Sequence, residues 1–163
     1  MNKVTVVGAG KYGSMSALRI AEYDIVEEVV MTDIVDGLPQ GLALDINQSR
    51  FVEQFNTKII GTNDYKDTEG SDVVVITAGL PRKPGMSRMD LLEVNAKIVE
   101  DVTNEILKYS DNPSIVVVTN PLDQMTTLAA DVSGLPKNKV MGQAGILDSS
   151  RFAYFIAEKL SVD

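Results

Sequence analysis

The chain has 163 residues, 44% of them hydrophobic and 23% charged, with a formal net charge of −8. That length suits one domain able to bury about 70% of the surface its unfolded form exposes, and the composition excludes a disordered tail or a collagen-like repeat. The acidic balance argues against non-specific binding to nucleic acid or anionic membranes, which draws on excess Lys and Arg, and no apolar run approaches the ~20 residues of a membrane span.

The first apolar run, Val4-Thr5-Val6-Val7, predicts a strand over 3 to 8. It leads directly into Gly8-Ala9-Gly10-Lys11-Tyr12-Gly13 and a helix predicted over 11 to 22. In a turn of this kind Gly8 permits the tight bend, Gly10 lets backbone approach a pyrophosphate, and Gly13 lets the helix pack on the strand. Free N–H groups at the helix start suit phosphate oxygens. The next strand, predicted over 27 to 33, ends at Asp33, twenty residues past Gly13, where a carboxylate can hold the two hydroxyls of an adenosine ribose and repel a 2′-phosphate. No Arg or Lys follows until Arg50, so the pattern predicts NAD rather than NADP. FAD and S-adenosylmethionine sites share part of the signature and are the rival ligands.

A helix is predicted over 37 to 54, then strands over 57 to 61 and 72 to 78, the last ending in Thr77-Ala78-Gly79. The segment from Ala78 to Arg88 carries two prolines, two glycines and the cations Arg82, Lys83 and Arg88, which predicts a surface loop above the ligand edge. On spacing alone a solvated basic loop is slightly preferred to a lid that grips carboxylates. A long helix over 88 to 109 follows, then a strand over 114 to 119 ending in Val118-Thr119-Asn120-Pro121. Asn120 stands where an amide can meet ligand, although Asn-Pro is also a common turn. A helix over 121 to 132 is stopped by Gly134 and Pro136, and a strand over 138 to 142 and a helix over 146 to 160 complete the chain. In that last helix Asp148 and Arg151 share a face, which by spacing alone reads as a capping acid and a local ion pair.

The alternation gives an α/β, doubly wound parallel sheet: a Rossmann fold of six strands in the order 3-2-1-4-5-6, occupying residues 1 to 163 as one dinucleotide-binding domain. The strand runs show little polar alternation, as expected of strands buried on both faces. Cysteine is absent, which excludes disulfides, a thiol nucleophile and thiolate metal sites; no metal is expected. With no signal peptide at Met1-Asn2-Lys3, a reducing cytoplasm is the simplest location.

Taken together, Gly8 to Gly13, Asp33 to Gly41, Thr77 to Asp90, Thr119-Asn120-Pro121 and Leu147 to Phe152, in this order, resemble the NAD-dependent malate dehydrogenases of the lactate-dehydrogenase-like type. The resemblance covers essentially the whole chain. It implies that Arg82 binds the distal carboxylate of oxaloacetate or malate, where lactate dehydrogenases usually have a neutral residue. It also implies that Arg88 polarises the reacting carbonyl, Asn120 contacts substrate and nicotinamide, and Arg151 forks onto the carboxylate beside the reacting carbon. Gly8, Ala9, Gly10, Lys11, Tyr12, Gly13, Asp33, Thr77, Ala78, Gly79, Asn95, Val118, Thr119 and Asn120 would hold NAD, and Asp148 would orient a catalytic histidine.

The family places that histidine in a Gly-His-Gly-Asp segment of a second, substrate-completing domain, and this chain contains no histidine. The expectation is therefore the cofactor-binding half of a cytoplasmic enzyme of the tricarboxylic acid cycle, inactive alone. The alternatives are a stand-alone NAD-binding module and the corresponding half of an L-lactate dehydrogenase. Homo-oligomers are expected, since the helix after Asp36 resembles the one through which family members pair and the last helix carries Phe152, Phe155, Ile156 and Leu160. Lys11 and Tyr12 depart from the family's usual polar and small or branched apolar residues, which brings a bulky ring to the pyrophosphate turn. Gln143 and Met89 also depart, and neither is assigned to chemistry.

Overall fold

The computed structural model describes residues 2–162. Six parallel strands, β1 (Lys3–Val7), β2 (Glu28–Thr32), β3 (Lys58–Thr62), β4 (Val73–Ile76), β5 (Ser114–Val117) and β6 (Val140–Gly142), form one sheet in the order β3-β2-β1-β4-β5-β6. This is the predicted doubly wound order. The helices are α1 (Lys11–Glu22), α2 (Leu38–Glu53), α3 (Arg88–Leu107), α4 (Leu122–Ser133) and α5 (Gly145–Leu160). Two short 3₁₀ turns are present: Tyr65–Thr68 lies where no element was predicted, and Lys137–Lys139 takes the first two residues of the strand predicted over 138 to 142, which begins instead at Val140.

Chain direction reverses its lateral course at β1 and β4, which divides the core in two. Val4, Val6, Val29, Met31 and Ile59 pack with Ala17, Ala21, Ala43 and Ile46 of α1 and α2. Val74, Ile76, Ile115 and Val117 pack with Val99, Val102 and Ile106 of α3 and Met125 and Ala129 of α4. Gly13, Ala17 and Ala21 recur every four residues and are all buried, so α1 meets the sheet through a stripe of small residues.

β1 and β2 are buried on both faces beyond their first residue, as expected. β4 and β5 alternate instead, with Val73, Val75, Ser114 and Val116 only half-buried. Their second face is thinly covered because α5 does not pack on it: no residue of α5 is buried. β4 and β5 also end earlier than predicted, at Ile76 and Val117, and just beyond them Thr77 and Thr119 bond nearby carbonyls through their hydroxyls.

Candidate functional site: a dinucleotide crevice

The carboxyl ends of the strands carry the site. Gly8 leaves β1 at φ +100, a conformation closed to most side chains, and its N–H donates to the Thr32 carbonyl at 2.8 Å. A Cβ on Gly8 would meet the Ala78 nitrogen at 2.7 Å, and one on Gly13 would collide with the Gly8 carbonyl oxygen. The turn thus has room only for hydrogen at both positions. Nothing lies within 4 Å of a Cβ built on Gly10, so there the backbone faces open space. No side chain caps α1 at Gly10, which leaves the amides of its first turn for a ligand. Lys11, the first residue of α1, places a cation where the helix dipole disfavours one unless an anion lies nearby.

Asp33 closes this corner. Its Oδ2 accepts the Ala9 N–H at 2.7 Å and its Oδ1 accepts the Val35 N–H at 2.9 Å. A carboxylate has about four acceptor positions. Each oxygen of Asp33 therefore keeps capacity for a ribose hydroxyl while the backbone fixes its orientation, and the residues present fit a dinucleotide.

Across the switch point, Thr77 Oγ1 donates to the carbonyls of Val7 and Gly8, both at 3.0 Å, and ties the end of β4 to the turn. Thr119 Oγ1 donates to the Ala78 carbonyl at 2.7 Å and ties the end of β5 to the same loop. Asn95, buried on α3, accepts the Leu80 N–H at 2.8 Å and donates to the carbonyls of Leu80 and Asn120 at 3.2 and 2.7 Å. Asn95 thereby joins the base of the basic loop to the Asn120-Pro121 turn, whose peptide is cis. Val118 and Ala78 are half-buried beside these turns and Asn120 is exposed.

A cleft of about 540 Å³ runs from the glycine turn past Asp33 to α3. Gly8, Gly10, Asp33, Thr77, Ala78 and Gly79 line it, together with Ile34, Val35 and Leu80 and, with no role assigned from sequence, Tyr65, Ile98, Asp101, Val102 and Glu105. The α3 members fall at positions 98, 101, 102 and 105, the spacing of one helical face, and that periodicity was the available signal. Tyr65 had no such signal, since it sits on an isolated 3₁₀ turn. Burial, reinforced by the carboxylates of Glu105, Asp33 and Asp101, pushes its phenol up to about 12. The hydroxyl is thus a neutral donor in the wall of the cleft.

The basic loop is exposed and curls on itself, with Arg82 Nε donating to the Met86 carbonyl at 3.1 Å. Ser87 and Asp90 then start α3 with a reciprocal capping box. The backbone N–H of Ser87 holds the Asp90 carboxyl below its ordinary range. Arg88 is the first residue of α3, again a cation at a helix N-terminus. Among the described residues, Arg82, Lys83 and Arg88 make no ion pair. On α5, Arg151 Nη1 lies 3.4 Å from Asp148 Oδ1, with both side chains exposed, so this pair adds little to stability. The dinucleotide corner is preassembled, whereas Arg82, Arg88, Asp148 and Arg151 are exposed on surface elements.

The family model described as lactate/malate dehydrogenase, NAD binding domain, matches residues 2–142. A malate dehydrogenase of Pelodictyon phaeoclathratiforme is 58% identical over 160 residues, covering 98% of this chain and 52% of that protein. The chain spans about half the length of the curated relatives it matches. The solved malate dehydrogenase of Salinibacter ruber, 51% identical, superposes with a TM-score of 0.92 over 99% of this chain and 50% of its own. The Cryptosporidium parvum lactate dehydrogenase, solved with lactic acid and nicotinamide adenine dinucleotide, is 46% identical with a TM-score of 0.92, over 99% of this chain and 51% of its own. With the turn, Asp33 and the strand order in agreement, the chain belongs to the lactate/malate dehydrogenase family and corresponds to its NAD-binding domain.

Proposed function

We propose that the chain serves as the cofactor-binding half of an NAD-dependent malate dehydrogenase, which interconverts malate and oxaloacetate. Its setting in this reading is a homo-oligomer in the cytoplasm, within the tricarboxylic acid cycle. The observation that carries the reading is the cation-rich loop from Arg82 to Arg88 beside the preassembled Asp33 corner. Among the described residues these cations, in an exposed loop and at the first residue of α3, have no carboxylate partner where they stand, and they suit a dicarboxylate.

Bound NAD supplies the hydride acceptor. Asp33 offers its remaining acceptor positions to the adenosine ribose, and the first turn of α1 with Lys11 neutralises the pyrophosphate. With the lid closed, Arg82 forks onto the distal carboxylate and Arg88 donates to the reacting carbonyl oxygen, where negative charge grows in the reduction. Arg151 holds the carboxylate beside the reacting carbon, and Asn120 orients substrate against the cofactor. Asp148 is the acid that would hold a histidine in its charged form. A proton acceptor with a pKa near neutrality is needed, and the 163 residues contain no histidine, so this chain binds NAD without turning over substrate.

The second reading is a stand-alone NAD-binding module. Against it stand Arg82, Arg88, Asp148 and Arg151, which have no part in holding NAD. A chimera separates the two: residues 1–163 replace the matching half of a full-length relative such as the Pelodictyon enzyme. The chimera is expected to oxidise NADH with oxaloacetate, while the chain alone does not. Arg82→Gln in the chimera is expected to lower kcat/KM for oxaloacetate by about 10- to 100-fold and to shift preference toward pyruvate. Turnover by the chain alone, or substrate preference unmoved by Arg82→Gln, would overturn the assignment.

A further inference from the structure

Tyr12 is the bulky side chain of the glycine turn, and its ring is half exposed. Its hydroxyl donates to Oε1 of Gln143 at 3.3 Å, across 131 residues of sequence. Gln143 follows β6, and its own N–H donates to the Val117 carbonyl at 2.9 Å, which anchors its backbone to the end of β5. In the sheet, β4 and β5 lie between β1 and β6. A bridge from the end of β1 to the end of β6 therefore crosses above the ends of β4 and β5, over Thr77 to Gly79 and Val118 to Asn120. That is the half of the crevice away from Asp33. Among the described residues, no other side-chain hydrogen bond joins α1 to the segment entering α5.

We propose that Tyr12 and Gln143 form a latch over the distal half of the crevice, which the nicotinamide arm of a dinucleotide must open and which an adenosine diphosphate does not reach. The pair is thus a specificity element that lowers affinity for the whole dinucleotide relative to its adenosine half. This rests on the dinucleotide reading of the crevice. The latch and the arm compete for the same space, and the exchange is modest in size because a half-exposed hydrogen bond is readily replaced by water.

Calorimetric titration of the 163-residue chain with NADH and with ADP tests this in four proteins: the unaltered chain, Tyr12→Phe, Gln143→Ala and the double variant. Tyr12→Phe keeps the ring and removes the donor, and Gln143→Ala removes the acceptor without touching the glycine turn. Each single variant is expected to bind NADH about two- to fivefold more tightly, and Gln143→Ala, which lies outside the glycine turn, is expected to bind ADP unchanged. The double variant is expected to gain no more than either single one, because both remove the same bond. NADH affinity that is unchanged or weakened, or an equal shift for ADP and NADH, would overturn the latch. An unaltered chain that binds neither ligand would instead overturn the dinucleotide reading beneath it.

Discussion

Asp33 does two jobs with one carboxylate, fixing the turn through Ala9 and Val35 and keeping acceptor capacity for a ribose. The ribose role was legible from sequence, because it follows from the distance between Gly13 and the end of the second strand. The structural role was not, since hydrogen bonds to backbone N–H groups leave no trace in residue identity. Tyr65 was invisible for a similar reason: its importance lies in a burial contributed by α3, some thirty-five residues away. Its phenol is raised to about 12, first by burial and then by Glu105, Asp33 and Asp101. The unfolded chain ionises near pH 10, so the stabilisation tied to a neutral Tyr65 is complete below that value and is lost as pH rises through 10 toward 12. A spectrophotometric phenolate titration is expected to show one late-titrating tyrosine. That step should vanish in Tyr65→Phe and move to lower pH in Glu105→Gln; a phenol unmoved by Glu105→Gln would contradict the electrostatic part of this account.

At the level of elements, the bounds of α1 and the start of α3 match the sequence reading because local signals set them: a glycine turn for one, and Ser87 with Asp90 for the other. The ends of β4 and β5 do not match: the strands stop at Ile76 and Val117, and beyond them Thr77 and Thr119 fix the turns through hydroxyl bonds to the carbonyls of Val7, Gly8 and Ala78. Asn95 is the joint between these elements. It was assigned to the cofactor by resemblance, and in the fold it bridges Leu80 and Asn120 from a buried position. Asn95→Ala would leave the Leu80 N–H and two carbonyls without partners, at a cost of about 2–4 kcal/mol. We expect a thermal midpoint several degrees lower and earlier proteolysis within the loop from Pro81 to Arg88. A variant with the same midpoint and the same cleavage rate would show that Asn95 is not the joint.

Over the whole molecule, the reversal between β1 and β4 creates both the two-sided core and the crevice, so one topological fact accounts for stability and for ligand position. Strand order was legible because each Val/Ile-rich run alternates with a helical segment, and right-handed crossovers leave few arrangements. The exposure of α5 was only partly legible: its apolar residues announced a surface to be covered, but a buried helix has the same pattern. α5, the stripe of Val75, Val116 and Met141, and Leu44, Phe51 and Val52 on α2 are exposed or half-exposed apolar surfaces of the kind a protein partner would cover. The dinucleotide corner needs none of these, since the contacts that shape it come from β1, α1, β2, β3, β4, β5, α3 and the turns that follow the strands. The most direct measurement is therefore a calorimetric comparison of NADH with NADPH on the 163-residue chain. One NADH site per chain is expected, with NADPH weaker by about tenfold or more because Asp33 repels a 2′-phosphate. Equal affinity for the two, or no binding of NADH, would contradict this expectation.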